Sequence, residues 1–126
     1  MNQNIRPGVV IFTGDHERLA RFYEYVSGLT VQVSDDKHTV LRSDTFELVI
    51  HALGSEPKSG VAPLPREDSY IKPFFPVLSL EETRRRAAEL GGRLAPANEE
   101  WSARGFRACE AIDPDGNVIQ FREEVK

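Results

Sequence analysis

The chain has 126 residues, a formal net charge of −4 and an isoelectric point near 5.4. This length is enough for one domain with a buried core, and the only cysteine, Cys109, excludes an intrachain disulfide and fits a reducing compartment. Because an acidic chain without a basic stripe cannot replace the counterions of phosphates, we expect no nucleic-acid partner. No apolar stretch approaches the roughly 18 residues of a membrane span and the N-terminus is too polar for a secretion signal, so we expect a cytoplasmic protein without membrane contact.

The first half of the chain predicts a strand, a helix and three further strands. An apolar run at residues 9–13 predicts the first strand, and Asp15 can cap a helix that Gly28 ends. The apolar residues of this helix recur with helical spacing at Leu19, Phe22, Tyr23 and Val26. Turn-forming residues then separate three segments that predict antiparallel strands, at residues 31–34, 39–42 and 46–52.

The second half predicts the same order of elements after a connector. Residues 54–69 carry three prolines and show no periodicity, which is typical of a linking segment. Residues 71–78 predict a strand that lies at an edge or is irregular, because they contain two prolines. Ser79, with Glu82 three residues later, forms a capping box for a second helix. Three weaker segments predict the remaining strands, at residues 93–95, 105–112 and 117–123.

The two halves match each other at fixed positions. The helix caps, residues 15 and 79, and the glycines after the helices, residues 28 and 92, are each offset by 64 positions. Each half also ends in a Val-Ile-polar triplet, at residues 49–51 and 118–120. Self-similarity of this kind indicates two copies of one supersecondary unit. We therefore predict an α+β fold in one domain over residues 1–126, with units at about 7–53 and 70–124 and the connector at about 54–69.

The pair Phe22-Tyr23 and the Asp-Pro-Asp-Gly-Asn turn at residues 113–117 point to a known family. With the paired βαβββ units, they resemble the vicinal oxygen chelate superfamily, which includes glyoxalase I, extradiol dioxygenases, fosfomycin-resistance enzymes and bleomycin-resistance binding proteins. The resemblance covers residues 9–123. It implies that the two units form a cup-shaped mixed sheet with the helices on the outside.

The resemblance also implies where a metal would bind. Enzymes of the superfamily hold a divalent ion with side chains from the first and last strands of each unit, and the matched positions are Gly8, His51, Lys72 and Gln120. Glycine has no donor atom and lysine places a positive charge beside the ion, whereas a catalytic site needs about three protein ligands. His16 and His38 are expected at exposed positions. We therefore expect no metal and no other cofactor; if the register is misplaced, His51 and Gln120 would bind a divalent ion.

Side-chain alternation along the strands predicts what the cup contains. Its mixture of aromatic and polar groups suits a small organic molecule. The residues expected to bind that molecule are Phe12, Glu47, His51, Lys72, Phe74, Trp101, Arg107, Gln120 and Arg122. Lys72 is expected to pair with an anionic ligand group or with Glu47. Trp101 is expected in a loop, either stacked on a planar ligand or packed against its own sheet.

Four functions remain open from the sequence. The leading hypothesis, from the likeness to the metal-free bleomycin-resistance branch, is a homodimer that binds a small organic molecule in antibiotic resistance or sequestration. The second is a metal-dependent glyoxalase- or dioxygenase-like enzyme, a lyase or an oxidoreductase. The third is a metal-free enzyme with His51 as general base and Lys72 as oxyanion partner. The fourth is a partner-binding module.

Overall fold

Two similar units follow each other along the chain, as the repeat predicts; the first is βαβββ and the second has one additional short strand, β7. The computed structural model describes residues 5–53 and 65–125, so most of the predicted connector lies outside the described residues. The first unit comprises β1 (Gly8–Thr13), α1 (His16–Ser27), β2 (Thr30–Ser34), β3 (His38–Arg42) and β4 (Glu47–Ala52). The second comprises β5 (Phe74–Val77), α2 (Leu80–Glu89), β6 (Arg93–Leu94), a 3₁₀ helix (Ala97–Glu99), β7 (Trp101–Ala103), β8 (Phe106–Ile112) and β9 (Val118–Glu124). In these ranges no helix combines the length and the apolar character that a membrane crossing requires.

Both helices begin at the predicted caps. The Asp15 carboxylate accepts a hydrogen bond from the backbone N–H of Arg18 at 3.1 Å, and the Ser79 hydroxyl accepts one from Glu82 at 3.1 Å. Each bond satisfies an N–H group that has no partner within the helix. Gly28 ends α1 with a φ of 72°, a left-handed conformation that glycine adopts without a steric penalty.

Each unit forms its own sheet with an equivalent strand order. The N-terminal sheet runs β1-β4-β3-β2, and the C-terminal sheet runs β5-β9-β8-β6, with β7 also paired to β8. In both sheets the first strand of the unit lies parallel to the last. The strand predicted at 71–78 pairs with β9 only from Phe74 to Val77 and lies at the edge of its sheet, where the missing N–H of Pro76 is tolerated.

The core lies between the sheets and the two helices. Leu48 and Ile50 of β4 and Ile119 and Phe121 of β9 are fully buried on this side. Alternation therefore holds in both closing strands. The residue between each buried pair, Val49 on β4 and Gln120 on β9, points to the opposite face. Cys109 is buried in the same core, as expected of a structural thiol.

One buried hydrogen bond joins the two units. The Tyr23 hydroxyl on α1 donates to the Asp113 carboxylate at 2.6 Å, and the same carboxylate accepts bonds from the N–H groups of Asp115 and Asn117 at 2.9 Å each. Burial, followed by the charge of Asp113, raises the pKa of Tyr23 well above its usual value. Burial also raises the pKa of Asp113, although its hydrogen bonds act in the opposite direction. The phenol therefore stays protonated and keeps donating.

We predict that Tyr23→Phe destabilises the protein. The substitution leaves a buried carboxylate without one of its partners, which costs about 1–3 kcal/mol of unfolding free energy in urea denaturation. Tyr25→Phe is the matched control, because the Tyr25 hydroxyl bonds Glu89 at the surface. Equal midpoints for Tyr23→Phe and the wild type would show that this bond does not hold the units together.

Candidate functional site

The face of each sheet opposite the helices forms a continuous pattern of side chains, which we call the cup face. On the N-terminal sheet the register aligns three rows across β1, β4 and β3. These rows are Phe12–His51–His38, Val10–Val49–Val40 and Gly8–Glu47–Arg42. The predicted residues Phe12, Glu47 and His51 therefore lie on one face, as alternation requires.

The C-terminal sheet contributes rows of the same kind. Across β5, β9, β8 and β7 the register aligns Phe74–Gln120–Glu110, Pro76–Arg122–Ala108–Trp101 and Glu124–Phe106–Ala103. Trp101 is thus the first residue of a short strand on the cup face, and not a loop residue as expected. The structure brings Phe74, Trp101, Gln120 and Arg122 onto one face.

Large apolar side chains of the cup face are open to solvent. Phe12 is 58% exposed, Phe74 52%, Val10 52% and Trp101 40%. Burying such groups is favourable by about 25 cal/mol per Å² of apolar area, so this face gains free energy from any apolar group that covers it. Phe12 also contacts the His51 ring, with 5.6 Å between ring centroids.

Clefts between the units contain residues of this face. One of about 540 Å³ is lined by residues that include Arg122. Another, of about 440 Å³, is lined by residues that include Lys72 and Phe74. A further cleft of about 300 Å³ is lined by residues that include Val10 and Phe12. Ligand pockets have volumes of about 300–1,000 Å³, so each cleft is large enough for a small organic molecule.

A chain of polar contacts crosses the C-terminal part of the cup face. The Lys72 ammonium forms an ion pair with Glu110, whose other oxygen accepts from the Gln120 amide at 3.3 Å. The Gln120 side-chain oxygen in turn accepts from Nε of Arg122 at 2.6 Å. Lys72 was expected to pair with an anionic ligand group or with Glu47; its partner among the protein's own carboxylates is Glu110 and not Glu47.

The charges of the N-terminal sheet are paired as well. Glu47 forms an ion pair with Arg42, its neighbour on β3, with 2.7 Å between Oε1 and Nε. This pairing explains why Glu47 is not the partner of Lys72. His38 was expected at the surface, yet it begins β3 beside His51, and its Nδ1 lies 3.0 Å from the Asp35 carboxylate. His16 was also expected at the surface, but it is buried and bonds Thr39 at 2.9 Å.

Arg107 does not lie on the cup face. It alternates with Phe106 and Ala108 along β8 and therefore points to the helix side, where its Nε donates to Glu100 at 2.6 Å. Arg84 of α2 binds the same carboxylate. Burial opposes the charge of Glu100, but the two guanidinium groups outweigh it and lower the pKa of this carboxyl. Arg107 is thus a structural residue of the outer layer.

Sequence reasoning missed several residues of the cup face, among them Arg42, His38, Phe106 and Glu110. The signal for Phe106 and Glu110 was present, because both alternate in phase along the strand predicted at residues 105–112. Arg42 and His38 required the register of the β3–β4 pair, which the turn alone does not determine.

A comparison of the sequence with protein-family models matches residues 8–121 to the Glyoxalase-like domain. The chain belongs to this family. A sequence search of curated proteins found no match to this chain. The match confirms the superfamily that the turn at residues 113–117 and the paired units indicated.

Solved structures of the same superfamily share the fold of this glyoxalase-like domain. A glyoxalase/bleomycin resistance protein/dioxygenase family enzyme from Burkholderia phytofirmans PsJN superposes with a TM-score of 0.70 at 17% identity, covering 94% of this chain and 97% of its own. Fosfomycin resistance protein FosX from Mesorhizobium loti gives 0.65 at 16%, covering 99% and 95%. A FosX variant from Listeria monocytogenes, complexed with Mn(II) and 1S,2S-dihydroxypropylphosphonic acid, gives 0.67 at 15%, covering 99% and 93%. At these identities the likeness shows the fold alone.

The register corrects the match between the closing strands of the two units. Phe74 lies beside Gln120, and the residue 64 positions before Phe74 is Val10, which lies beside Val49. Val49 is therefore the structural equivalent of Gln120. The Val-Ile-polar triplet had aligned His51 there, but His51 is one pleat further along, at the level that Arg122 occupies in the second unit.

The four positions implied for a metal do not fit one. With Val49 in place of His51, two of the four positions, Gly8 and Val49, have no atom that can bind a metal. Lys72 is ion-paired with Glu110, and the amide oxygen of Gln120 already accepts from Arg122. Within residues 5–53 and 65–125, no three His, Cys, Asp or Glu side chains are close enough to share an ion. A metal-centred reaction at these positions has no ligand set.

Gly8 also has a steric reason to be glycine. A Cβ atom at this position would lie 2.1 Å from the backbone oxygen of Glu47. We predict that Gly8→Ala lowers the free energy of unfolding by roughly 1–3 kcal/mol, as overpacking does. Val10→Ala in the same strand is the control, since Val10 is half exposed. A stable Gly8→Ala variant would show that β1 can move enough to accept a ligand side chain there.

Proposed function

We propose that the protein binds a small organic molecule with a planar apolar part on its cup face, in sequestration or antibiotic resistance. In this proposal it uses no metal at the positions of the superfamily enzymes. The observation that carries the proposal is the exposure of Phe12, Phe74 and Trp101 on one face of the fold. Aromatic rings bury a large area at a small entropic cost and stack on planar groups, so they are effective anchors for such a ligand.

The contacts of Lys72 favour binding over metal-free catalysis. That alternative assigns Lys72 to the oxyanion and His51 to the base. The Lys72 ammonium already forms an ion pair with Glu110, so it would have to exchange this partner to stabilise an oxyanion. A bond at 2.8 Å between Nδ1 of His51 and the carbonyl oxygen of Ala52 orients the ring.

The resistance role and the dimer are part of the same proposal. Two of the similar structures are fosfomycin resistance proteins by description, which makes antibiotics a reasonable first set of ligands to test. The homodimer follows from the superfamily resemblance, in which units pair within or between chains. Sedimentation velocity at micromolar protein concentration tests it, and a monomer under these conditions would contradict it.

We predict that Phe74→Ala weakens the binding of an aromatic ligand about 2- to 12-fold, because one stacking contact contributes about 0.5–1.5 kcal/mol. A thermal-shift screen of aromatic antibiotics in EDTA finds the ligand, since a tight binder raises the unfolding temperature. Isothermal titration then measures the dissociation constant. Tyr25→Ala is the control, because Tyr25 is an exposed aromatic residue on α1. Equal losses in both variants would place the ligand elsewhere.

A second candidate function, a metal-dependent enzyme, has one observation in its favour. His38 and His51 are register partners whose ring centroids lie 6.0 Å apart, and the Nδ1 atoms bond Asp35 and the Ala52 carbonyl. Histidine ligands of metals are commonly held by such a bond on the other nitrogen. The pair supplies two ligands, whereas a catalytic site usually has about three.

Elemental analysis of protein purified without chelator separates the two candidates. The binding proposal predicts much less than one divalent ion per chain and ligand affinity that EDTA does not change. One ion per chain that disappears in His38→Ala, but persists in His16→Ala, would favour the metal-dependent enzyme and contradict the binding proposal.

A further inference from the structure

Arg122 occupies the middle of the C-terminal cup face. It lies on β9 with Pro76 on one side and Ala108 on the other, and Trp101 follows in the same row. Ala108 is the smallest side chain of this row. The charged group therefore lies within the ligand-binding face of the proposed function.

The Arg122 guanidinium packs against two aromatic rings. Its central carbon lies 3.6 Å from the centroid of Phe74 and 4.2 Å from that of Phe106. The Nε atom donates to Gln120, which fixes the rotation of the group. Because Gln120 uses only Nε, the terminal nitrogens remain for another acceptor.

This guanidinium has no anionic partner among the described residues. No carboxylate of residues 5–53 or 65–125 lies within 4.0 Å of it, whereas Lys72 has Glu110 and Arg42 has Glu47. Gln120 lies between Arg122 and Glu110: its side-chain oxygen accepts from Arg122 and its amide nitrogen donates to Glu110. A neutral amide at this position keeps the nearby carboxylate from neutralising Arg122.

We propose that Arg122 is the anion anchor of the cup and that the ligand is an aromatic carboxylate. A guanidinium pre-oriented by three neighbours matches the two oxygens of a carboxylate in a paired hydrogen bond. An aromatic body attached to that carboxylate can then cover the exposed rings of Phe74 and Trp101. This inference rests on the proposed function, and it adds the charge and the geometry of the ligand.

Calorimetric titration with 2-naphthoate and with its neutral analogue 2-naphthamide, both in EDTA, tests the anchor. A hydrogen bond to a charged group contributes about 1.5–3 kcal/mol, so we expect the carboxylate to bind the wild type 10- to 100-fold more tightly than the amide. Arg122→Gln should remove this preference while 2-naphthamide still binds. Arg107→Gln, on the opposite face of the sheet, should keep it.

The outcomes separate the anchor from the proposed function. Equal affinity of both compounds for the wild type, or an unchanged preference in Arg122→Gln, would overturn the anchor and leave aromatic binding in place. Failure of both compounds to bind the wild type would contradict the anchor and the proposed function together. Arg122→Lys provides a second variant that keeps the charge; it should retain 2-naphthamide binding and lose most of the preference, because lysine cannot form the planar pair.

Discussion

The fold depends on the contact between α1 and the turn at residues 113–117. Tyr23 bonds Asp113 across the two units, and Phe22 packs so closely against Gly92 that a Cβ atom there would lie 2.4 Å from its ring. Both motifs that indicated the superfamily belong to this joint. Because the joint fixes one unit against the other, it places both helices on one side and both cup faces on the other. The residues that indicate the superfamily therefore serve the assembly of the fold, and the opposite face carries the side chains available for binding.

Equivalent positions of the two units have taken different roles on that face. Val49 and Gln120 are equivalent, as are His51 and Arg122, yet none of these pairs keeps the same chemistry. The first unit presents valines, two histidines and the Arg42–Glu47 ion pair, while the second presents a polar network around a guanidinium that packs against aromatic rings. This divergence leaves the positions where the superfamily enzymes hold a metal without converging donors from both units. Two walls of different chemistry suit an asymmetric ligand.

The sequence predicted the elements well and the contacts between them poorly, for physical reasons. Caps such as Asp15 and Ser79 act within four residues, so local pattern is enough to locate both helices. The residue of the second unit that is equivalent to His51 depends on the number of residues in the loops of each unit. Because the second unit has extra residues around β7, aligning the Val-Ile-polar triplets matches His51 to a residue two positions before the correct one. Arg107 is two residues from the buried Cys109 on β8, so both side chains lie on the helix side of the sheet and Arg107 points away from the cup. Ion-pair partners such as Glu110 for Lys72 lie far apart in the chain and require the register of three strands.

Binding of an organic ligand by the side chains of the cup face can be tested by amide chemical-shift mapping. Isotopically labelled protein is titrated with an aromatic carboxylate in the presence of EDTA. We expect shifts that cluster on β1, β5, β8 and β9, including the amides of Phe12, Phe74 and Arg122, and that leave α1 and α2 nearly unchanged. Shifts that require a divalent ion, or that cluster on the helices, would contradict it.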